Sequence, residues 1–551
     1  MARQTFLRLG IWGSVAAVCV FAFCFRAARL EERPMHGDEA NQAVRAGGLM
    51  DEGIYRYDPS DHHGPVMYYA ALPFCRATAK TFADTTEWAF RMVPVAFSLM
   101  TLLLMAGLYA ADRRNLFAHP AGVVTAVLLT ALSPAMNYYS RFFIQETMFV
   151  TFLTGMLVCA AQYVRAGGGT RKGAWMAGGF GMFLGLAAAT KETVVLSVAA
   201  AGVAAVCACG FRRLLRAWNT RDFLIMLGAA ALVAALFFSS FFTYPKGLSD
   251  AAFATVSAYL RRAVVEDHRH PWSFYLKLLF WKPYEPASLW AKAGVKDALW
   301  VMSNLYAKGR VWCEAGVLAL PALFAAVMAF MPRKPSAPSP QTRWLRFVAV
   351  YTLALTALYS AIPYKTPWCV LSFLHGYILL AGVGVGLAWE RLTRLPTAWR
   401  WASIAGMLAL LAYGAFYQGA QSWRACFELA ADIRNPYVYV HPRKDVMALV
   451  SAIGNAAQKA DGFDTPIAVV APPSDYWPLP WYLRKYAHVY YWDTVADVHP
   501  GFEPAVLVVA AGQVHPADAR FGKGKDILSH SIRPYVNVHL FVPASPPGSD
   551  E

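Results

Sequence analysis

The chain has 551 residues and a mass of 60.6 kDa, with 57% hydrophobic and only 15% charged residues. Because soluble domains contain about half apolar and about a quarter charged residues, this composition excludes a soluble enzyme, a disordered protein and a fibrous protein. The formal net charge of +16 does not indicate nucleic-acid binding, since the basic residues lie mostly in short loops between apolar blocks. The composition therefore predicts a polytopic α-helical membrane protein.

Hydrophobic blocks of roughly 18–24 residues recur along most of the chain, and each is long enough to cross about 30 Å of hydrocarbon. They predict eleven to thirteen membrane spans, with eleven favoured. The eleven lie at residues 9–29, 90–111, 120–139, 146–164, 174–190, 193–210, 223–244, 311–331, 346–362, 367–389 and 400–420. Together they predict a helical membrane domain at residues 1–425.

Basic residues gather in alternate loops between these blocks, which indicates how the bundle is oriented. One set of loops carries clusters of cations, including Arg113 and Arg114, Arg212 and Arg213, and Arg391 and Arg394. The turns of the other set carry single cations, at Arg141, Lys191 and Lys365. Because clustered Lys and Arg stay on the cytoplasmic side, we expect a cytoplasmic N-terminus in the cell (cytoplasmic or inner) membrane of a prokaryote. An odd number of spans then places the tail outside.

Two longer loops, 30–89 and 246–310, and the tail are predicted to lie on the outer side. Within the tail, short runs rich in apolar and aromatic residues predict strands near residues 466–470, 488–491, 505–509 and 535–540. Apolar residues at helical spacing predict a helix from residue 445 to about 457. Residues 426–551 are therefore predicted to form a small α/β extracytoplasmic domain.

Charged side chains close to the ends of apolar spans are costly, and a cluster of them on one side usually marks a functional site. On the outer side such residues are Asp38, Glu39, Arg141, Glu146, Lys191 and Lys365. Each has a structural explanation as well: adjacent carboxylates can be solvated, an Arg–Glu pair can support packing, and lysines can extend to the headgroups. Together, carboxylates and cations suit an anionic lipid phosphate, with Arg and Lys neutralising the phosphate and a carboxylate accepting a proton.

The order of short motifs along the chain resembles the GT-C glycosyltransferases. The motifs are Gly37-Asp-Glu-Ala, Ser140-Arg-Phe, Thr190-Lys-Glu, His270-Pro-Trp-Ser-Phe-Tyr and Tyr364-Lys-Thr-Pro-Trp. They are most similar to the flippase-activity-associated, or dolichyl-phosphate-mannose-protein mannosyltransferase-like, subgroup. The resemblance extends over nearly the whole chain and implies a GT-C-like bundle that uses a polyprenyl-phosphate sugar.

The resemblance also implies roles for the acidic residues. Asp38 matches the position of the catalytic acid in the first outer loop, and Glu39 lies beside it. Glu146 matches a second acid at the start of the fourth span.

The resemblance places cations near the lipid phosphate at Arg141 and Lys191, with Lys365 and His270 in the matching outer segments. One difference concerns the first outer loop. The aminoarabinose-type enzymes have Glu-Lys-Pro where this chain has His62-His63-Gly64-Pro65, so His63 is the candidate replacement for the missing lysine.

The favoured hypothesis is an inverting glycosyltransferase of the cell envelope, active on the outer face of the membrane. It would transfer a sugar from a polyprenyl phosphate to a glycan, lipid or protein acceptor, as in protein glycosylation, with a carboxylate as base. The alternative is a non-catalytic protein that binds lipid-linked sugars or assists their flipping. The expected partners are the lipid-linked donor, the acceptor and membrane lipids, with no nucleic acid.

A metal cofactor is not favoured, although His36, His62 and His63 near Asp38 leave a divalent ion possible. The sequence has no DxD-like spacing at the expected site and no CxxC or Cys/His metal-binding spacing.

The tail segment at residues 473–486 carries several aromatic residues interleaved with polar ones. Aromatic rings of this kind bind sugars, anchor domains at the headgroups, or simply fill a core. The hypothesis for this domain is acceptor recognition rather than chemistry.

Overall fold

The computed structural model describes residues 2–59, 63–111, 116–117, 119–254, 268–280, 282–283, 311–331 and 338–544. Outside the described residues lie Arg113 and Arg114, His62, and most of the predicted outer loop 246–310.

Each of the eleven predicted spans coincides with helical structure. The membrane-domain helices are Ala2–Ala27, Glu87–Ala111, Pro120–Leu132, Pro134–Tyr139, Glu146–Ala166, Arg171–Ala188, Val194–Cys209, Thr220–Phe238, Glu314–Phe330, Pro340–Ala361, Leu371–Leu392 and Thr397–Trp423. Six of the described helices are long and apolar enough to cross a membrane by themselves: Gly10–Ala27, Glu87–Tyr109, Glu146–Ala166, Thr220–Phe238, Pro340–Ala361 and Pro367–Leu392. The protein is thus a multi-pass membrane protein, and the number of spans remains a prediction.

The third predicted span, 120–139, is two helices rather than one. Pro134 has no backbone N–H to continue the hydrogen bonds of the first helix. Ser133 ends that helix and caps the next one, because its side chain accepts a hydrogen bond from the backbone N–H of Met136 at 3.2 Å.

The first outer loop, 30–89, is largely helical. It contains Gly37–Glu52, Val66–Thr78 and the short turn Phe82–Asp84. The helix Gly37–Glu52 begins with a capping box: the His36 side chain accepts from the N–H of Asp38, and the Glu39 carboxylate accepts from the N–H of His36. This cap fixes the first turn of the helix, which carries both predicted acids.

Further short helices lie at Phe211–Arg216, Lys246–Ser249, Asp250–Ala254 and Phe274–Phe280, with 3-10 or π turns at Pro367–Val370 and Arg424–Glu428. Two short strands, β1 (Lys282–Pro283) and β2 (Val311–Trp312), pair antiparallel.

The C-terminal part of the chain contains a five-stranded sheet. Its strands are β3 (Ile467–Val470), β4 (Val489–Trp492), β5 (Val506–Ala510), β6 (Lys525–Arg533) and β7 (Val536–Pro543), in the spatial order β4-β3-β5-β7-β6. β4, β3 and β5 are parallel, whereas β7 runs antiparallel to β5 and β6. The helix Asp445–Lys459 packs on one face and the helix Val514–Phe521 on the other. The short turns Pro473–Tyr476 and Leu479–Tyr482 connect β3 to β4. The small α/β unit predicted from the sequence is therefore present.

This sheet unit contacts the first outer loop through the segment between β3 and β4. Trp481 is fully buried in the same core cluster as the apolar side of the helix Gly37–Glu52. Its indole N–H donates to Glu87 Oε1 at 3.0 Å, and the backbone N–H of Met35 donates to the hydroxyl of Tyr482 at 2.9 Å. The C-terminal unit therefore lies directly against the helix that begins beside Asp38.

Candidate functional site

A cavity of about 230 Å³ lies between the first outer loop and the C-terminal unit. Asp38 lines this cavity, and about half of its side chain (53%) is exposed. Other lining residues come from several segments and include Asn41, Tyr364, Trp368, Trp477 and Arg533. The cavity thus combines an accessible carboxylate with a cation and several aromatic rings, which suits a polar ligand with apolar faces.

Glu39, the neighbour of Asp38, lies outside this cavity and is completely buried. Arg91 binds its carboxylate with two hydrogen bonds, of 2.9 and 3.0 Å, and Arg33 adds an ion pair of 2.9 Å. The backbone N–H of Phe143 also donates to it, at 3.0 Å. Burial alone would raise the pKa of Glu39, but the two guanidinium groups hold it well below its usual range. Glu39 is therefore an ionised structural anion at neutral pH.

Glu146 and Lys191 form a buried ion pair, with side-chain exposures of 2% and 5%. One oxygen of Glu146, Oε2, has no hydrogen-bond partner. The Lys191 ammonium also approaches the sulfur of Cys369 at 3.6 Å, and Cys369 lies 3.3 Å from the hydroxyl of Thr366. Because Thr366 lines the Asp38 cavity, the ion pair lies directly behind one wall of it.

His63 forms a second pair with Glu192, the residue after Lys191, and the two side chains are 2.7 Å apart. Burial opposes ionisation of Glu192, but the charge of His63 and its hydrogen bond lower the pKa of Glu192 to about 2. The two pairs lie side by side at the turn between the helices Arg171–Ala188 and Val194–Cys209.

Lys365 and His270 lie together where the second outer loop meets the turn before Pro367. The Lys365 ammonium donates to the carbonyl oxygens of His270, at 3.0 Å, and Ile362. The His270 ring stacks on Phe274, and its Nε2 has no hydrogen-bond partner. Lys365 thus holds the two segments together, and the position of His270 beside the cavity is fixed by this contact.

Arg141 lies at a different cavity from Asp38. Its guanidinium donates to the carbonyl oxygens of Arg26 and Ala28 at the end of the first helix, and to that of Phe25 at 3.1 Å. These are the carbonyl groups that a helix end leaves unpaired. In this arrangement Arg141 completes the end of the first helix, and it does not share a cavity with the other predicted cations.

Several residues of the site were not identified from the sequence. Arg91 was identifiable from the sequence, because it lies just inside the predicted span 90–111, where a charged side chain needs a partner. The sequence carries no comparable signal for Arg33, Tyr439 and Arg533. The Tyr439 hydroxyl bonds to His268, and its carbonyl oxygen lies 2.9 Å from His36 Nε2, so this residue links the tail to the cap of the Asp38 helix.

Among the residues that the structure describes, no group of three or more His, Cys, Asp or Glu side chains is arranged to hold a metal ion. The absence of an essential metal remains a prediction.

Comparison with solved structures identifies the fold. ArnT from Cupriavidus metallidurans bound to undecaprenyl phosphate matches with a TM-score of 0.61 and 13% identity, over 98% of this chain and 99% of that one. The archaeal oligosaccharyltransferase AglB from Archaeoglobus fulgidus, in complex with an inhibitory peptide and a dolichol-phosphate, matches with a TM-score of 0.55 and 10% identity, over 92% and 70%. Both are GT-C glycosyltransferases, so the chain has the GT-C fold, as its motifs predicted.

Within this class, residues 62–244 match the family model of dolichyl-phosphate-mannose-protein mannosyltransferases. The matched region is about a third of the chain and contains Glu146, Lys191 and the His63–Glu192 pair. No curated protein matches the chain in sequence. The fold and the family model together support the predicted class of enzyme, a membrane glycosyltransferase.

Proposed function

We propose that this protein transfers a sugar from a polyprenyl monophosphate to an acceptor on the outer face of the membrane, with inversion at the anomeric carbon. The GT-C fold and the mannosyltransferase family model support lipid-linked sugar transfer. The undecaprenyl phosphate in the ArnT structure and the dolichol-phosphate in the AglB structure support a lipid phosphate as the carrier.

The observation that carries the proposal is the contrast between two neighbouring acids. Glu39 is buried and bound by two arginines, whereas Asp38 is accessible in a cavity beside aromatic rings. Only Asp38 of the pair can contact a substrate without breaking an ion pair. It is therefore the proposed general base.

In the proposed reaction, the Asp38 carboxylate accepts the proton of an acceptor hydroxyl or amine. The nucleophile's electron pair forms a bond to the anomeric carbon from the face opposite the phosphate. The bond between that carbon and the phosphate oxygen breaks, and its electron pair leaves with the polyprenyl phosphate. Attack from the opposite face inverts the anomeric configuration.

Cations near the cavity are proposed to bind the phosphate and to stabilise its charge as it leaves. Lys191 lies behind Thr366 and is the proposed phosphate-binding lysine, with His63 next to it. Glu146, whose buried Oε2 has no hydrogen-bond partner among the described residues, is proposed to hold Lys191 in position for this role.

The direct test is a release assay. Purified protein supplied with a labelled polyprenyl-phosphate sugar pool should release polyprenyl phosphate in the presence of acceptor extract, and release should survive prolonged chelation. Failure to release the lipid from any lipid-linked pool would contradict the enzymatic proposal and favour the non-catalytic alternative.

Lys191→Ala is expected to weaken binding of polyprenyl phosphate roughly 10- to 100-fold, since a hydrogen bond to a charged group contributes about 1.5–3 kcal/mol. Binding is measured by titrating the lipid into purified protein. Lys246→Ala is the matched control, because this lysine is exposed and, within the described part of the chain, forms its ion pair with Asp250. Since the single variant leaves Glu146 buried without its cation, the double variant Lys191→Gln, Glu146→Gln keeps a neutral pair. Unchanged lipid affinity in this double variant would exclude Lys191 from the phosphate site.

The C-terminal unit is proposed to contribute to acceptor recognition, because its residue Trp477 lines the same cavity as Asp38. Deleting the whole unit would also expose the membrane-domain core around Trp481, so a point variant tests the role more cleanly. Trp477→Ala should retain donor binding while transfer to the native acceptor falls about tenfold, the effect of losing a contact of about 1.5 kcal/mol. Phe463→Ala, which changes an exposed ring of the same unit, should transfer normally. Equal transfer by the two variants would contradict the role of Trp477.

A further inference from the structure

A second cavity, of about 360 Å³, lies where the first and last membrane helices end. One wall is the segment 29–34, which follows the helix Ala2–Ala27, and another is the segment 426–432, which follows the helix Thr397–Trp423. Arg443 and Lys444, just before the helix Asp445–Lys459, complete it. No residue lines both this cavity and the one that contains Asp38.

The lining of this cavity carries more positive than negative charge. Its cations are Arg29, Arg33, Arg141, Arg443 and Lys444, and its acids are Glu32, Glu428 and Asp432. Glu32 pairs with Arg29 at 3.6 Å, Arg33 with Glu39 at 2.9 Å and Asp432 with Arg434 at 2.8 Å. Among the described residues, this leaves the three cations Arg141, Arg443 and Lys444 against the single acid Glu428. The cavity is therefore electropositive.

Arg141 shows that this positive charge is not fully balanced within the protein. Only 7% of the residue is exposed, and its guanidinium forms no ion pair with any carboxylate of the described residues. Burial, together with the guanidinium groups of Arg33 and Arg91, lowers the pKa of Arg141 to about 10. A buried cation without a counter-ion is unfavourable, and an anion in the cavity would relieve it.

Arg443 and Lys444 are positioned to bind such an anion from the solvent side. Both side chains are exposed, and neither has a side-chain partner among the described residues. The cavity thus presents two unpaired cations at its rim and one buried cation in its wall.

We propose that this cavity binds the phosphate of an anionic membrane phospholipid. Two membrane helices end at the cavity, so it lies at the height of the lipid headgroups. Trp423, at the end of the last helix, is 47% exposed, as is typical of residues in the interfacial aromatic belt. Basic segments next to a membrane helix attract anionic lipids.

A phosphate bound in this cavity would contact two segments that lead into different parts of the protein. The segment 29–34 leads into the helix that carries Asp38, whereas Arg443 and Lys444 lead into the C-terminal unit. The lipid would therefore hold the C-terminal unit against the first outer loop, independently of whether the proposed sugar transfer occurs.

The experiment measures lipid retention by native mass spectrometry of the full-length protein from membranes containing phosphatidylglycerol and phosphatidylcholine. The variant Arg443→Gln, Lys444→Gln is expected to retain phosphatidylglycerol roughly 10- to 30-fold more weakly, because each basic residue near the surface contributes about a fivefold increase in affinity. Phosphatidylcholine retention should not change. The matched control is Lys459→Gln, Lys485→Gln, which removes two exposed lysines of the same unit outside the cavity and should bind like the wild type.

Three results would overturn the proposal. The first is unchanged retention of phosphatidylglycerol in the Arg443, Lys444 variant. The second is full displacement of the lipid by soluble glycerol phosphate at matched concentration, which would identify a free phosphate as the ligand. The third is an equal loss of polyprenyl phosphate binding, which would assign the cavity to the sugar donor. The experiment measures lipid binding and not sugar transfer. It therefore tests this cavity even if the proposed sugar transfer is wrong.

Discussion

Replacing Asp38 with Asn should reduce sugar transfer by about 10²- to 10⁴-fold, the usual contribution of a general base. The amide is nearly the same size as the carboxylate but cannot accept the acceptor's proton. Because the proposed phosphate ligands are elsewhere, binding of the polyprenyl-phosphate donor should be unchanged. Single-turnover release of polyprenyl phosphate, measured beside donor titration, separates these two effects.

The matched control is Glu52→Gln, at the opposite end of the same helix. Its carboxylate is 58% exposed and, among the described residues, pairs with Arg56 at 3.1 Å. This variant should transfer sugar at the wild-type rate. If Asp38→Asn kept full turnover, Asp38 would not be the base; if it lost donor binding instead, its role would lie in binding.

Replacing Glu39 with Gln should destabilise the protein by about 3–5 kcal/mol, which is the typical cost of breaking a buried ion pair by removing one partner. The change leaves the guanidinium groups of Arg33 and Arg91 buried near each other without their anion. The measurement is the thermal midpoint of unfolding in detergent. Glu39 lies beside the proposed base Asp38. Reduced sugar transfer by the Glu39→Gln variant would therefore reflect its lower stability and would not identify Glu39 as a catalytic residue.

The control for this prediction is Glu32→Gln, because Glu32 is 64% exposed and forms a surface ion pair with Arg29. A surface pair of this kind contributes about 0–1 kcal/mol, so the midpoint should hardly move. The contribution of Glu39 should also depend on pH. Since its pKa is depressed in the folded protein, the stabilisation is complete above the unfolded-state pKa of about 4.3 and is lost as the pH falls further. An unchanged midpoint in Glu39→Gln would contradict the structural role.

The helices of the membrane domain were predictable because long apolar blocks are local signals that no tertiary contact overrides. The same holds for β3 and β5, whose apolar runs are buried throughout, and for β4 and β7, whose aromatic and β-branched residues mark them as strands although they are only partly buried. β6 was missed because polar residues interrupt its apolar ones, and because residues 526–529 of this edge strand are exposed. Its pairing with β7 comes from the hairpin rather than from its own hydrophobicity.

The helices of the first outer loop were also not predicted from the sequence. The helix Gly37–Glu52 is amphipathic and not apolar enough to stand out among the spans, so the segment was predicted only as a loop. Its fold depends on burial against Trp481, more than 400 residues away in the chain.

The distinction between Asp38 and Glu39 could not be made from the sequence either. Both acids occupy the first turn of one helix, and their environments differ because Arg91, 52 residues away, and the backbone N–H of Phe143 bind Glu39 together with Arg33. Likewise, topology placed Arg141 on the same side of the membrane as Lys191, but it could not show that Arg141 lines a separate cavity while Lys191 is buried in an ion pair with Glu146.

Residues 141–146 make four contacts in six positions. Arg141 reaches the end of the first helix, the N–H of Phe143 reaches the buried carboxylate of the first outer loop, Gln145 bonds to a glutamine of that loop's first helix, and Glu146 holds its lysine. The spacing of these residues therefore sets the positions of all four contacts. A substitution removes one contact, whereas an inserted residue displaces every contact that follows it. We therefore expect insertions and deletions in this segment to be more damaging than substitutions.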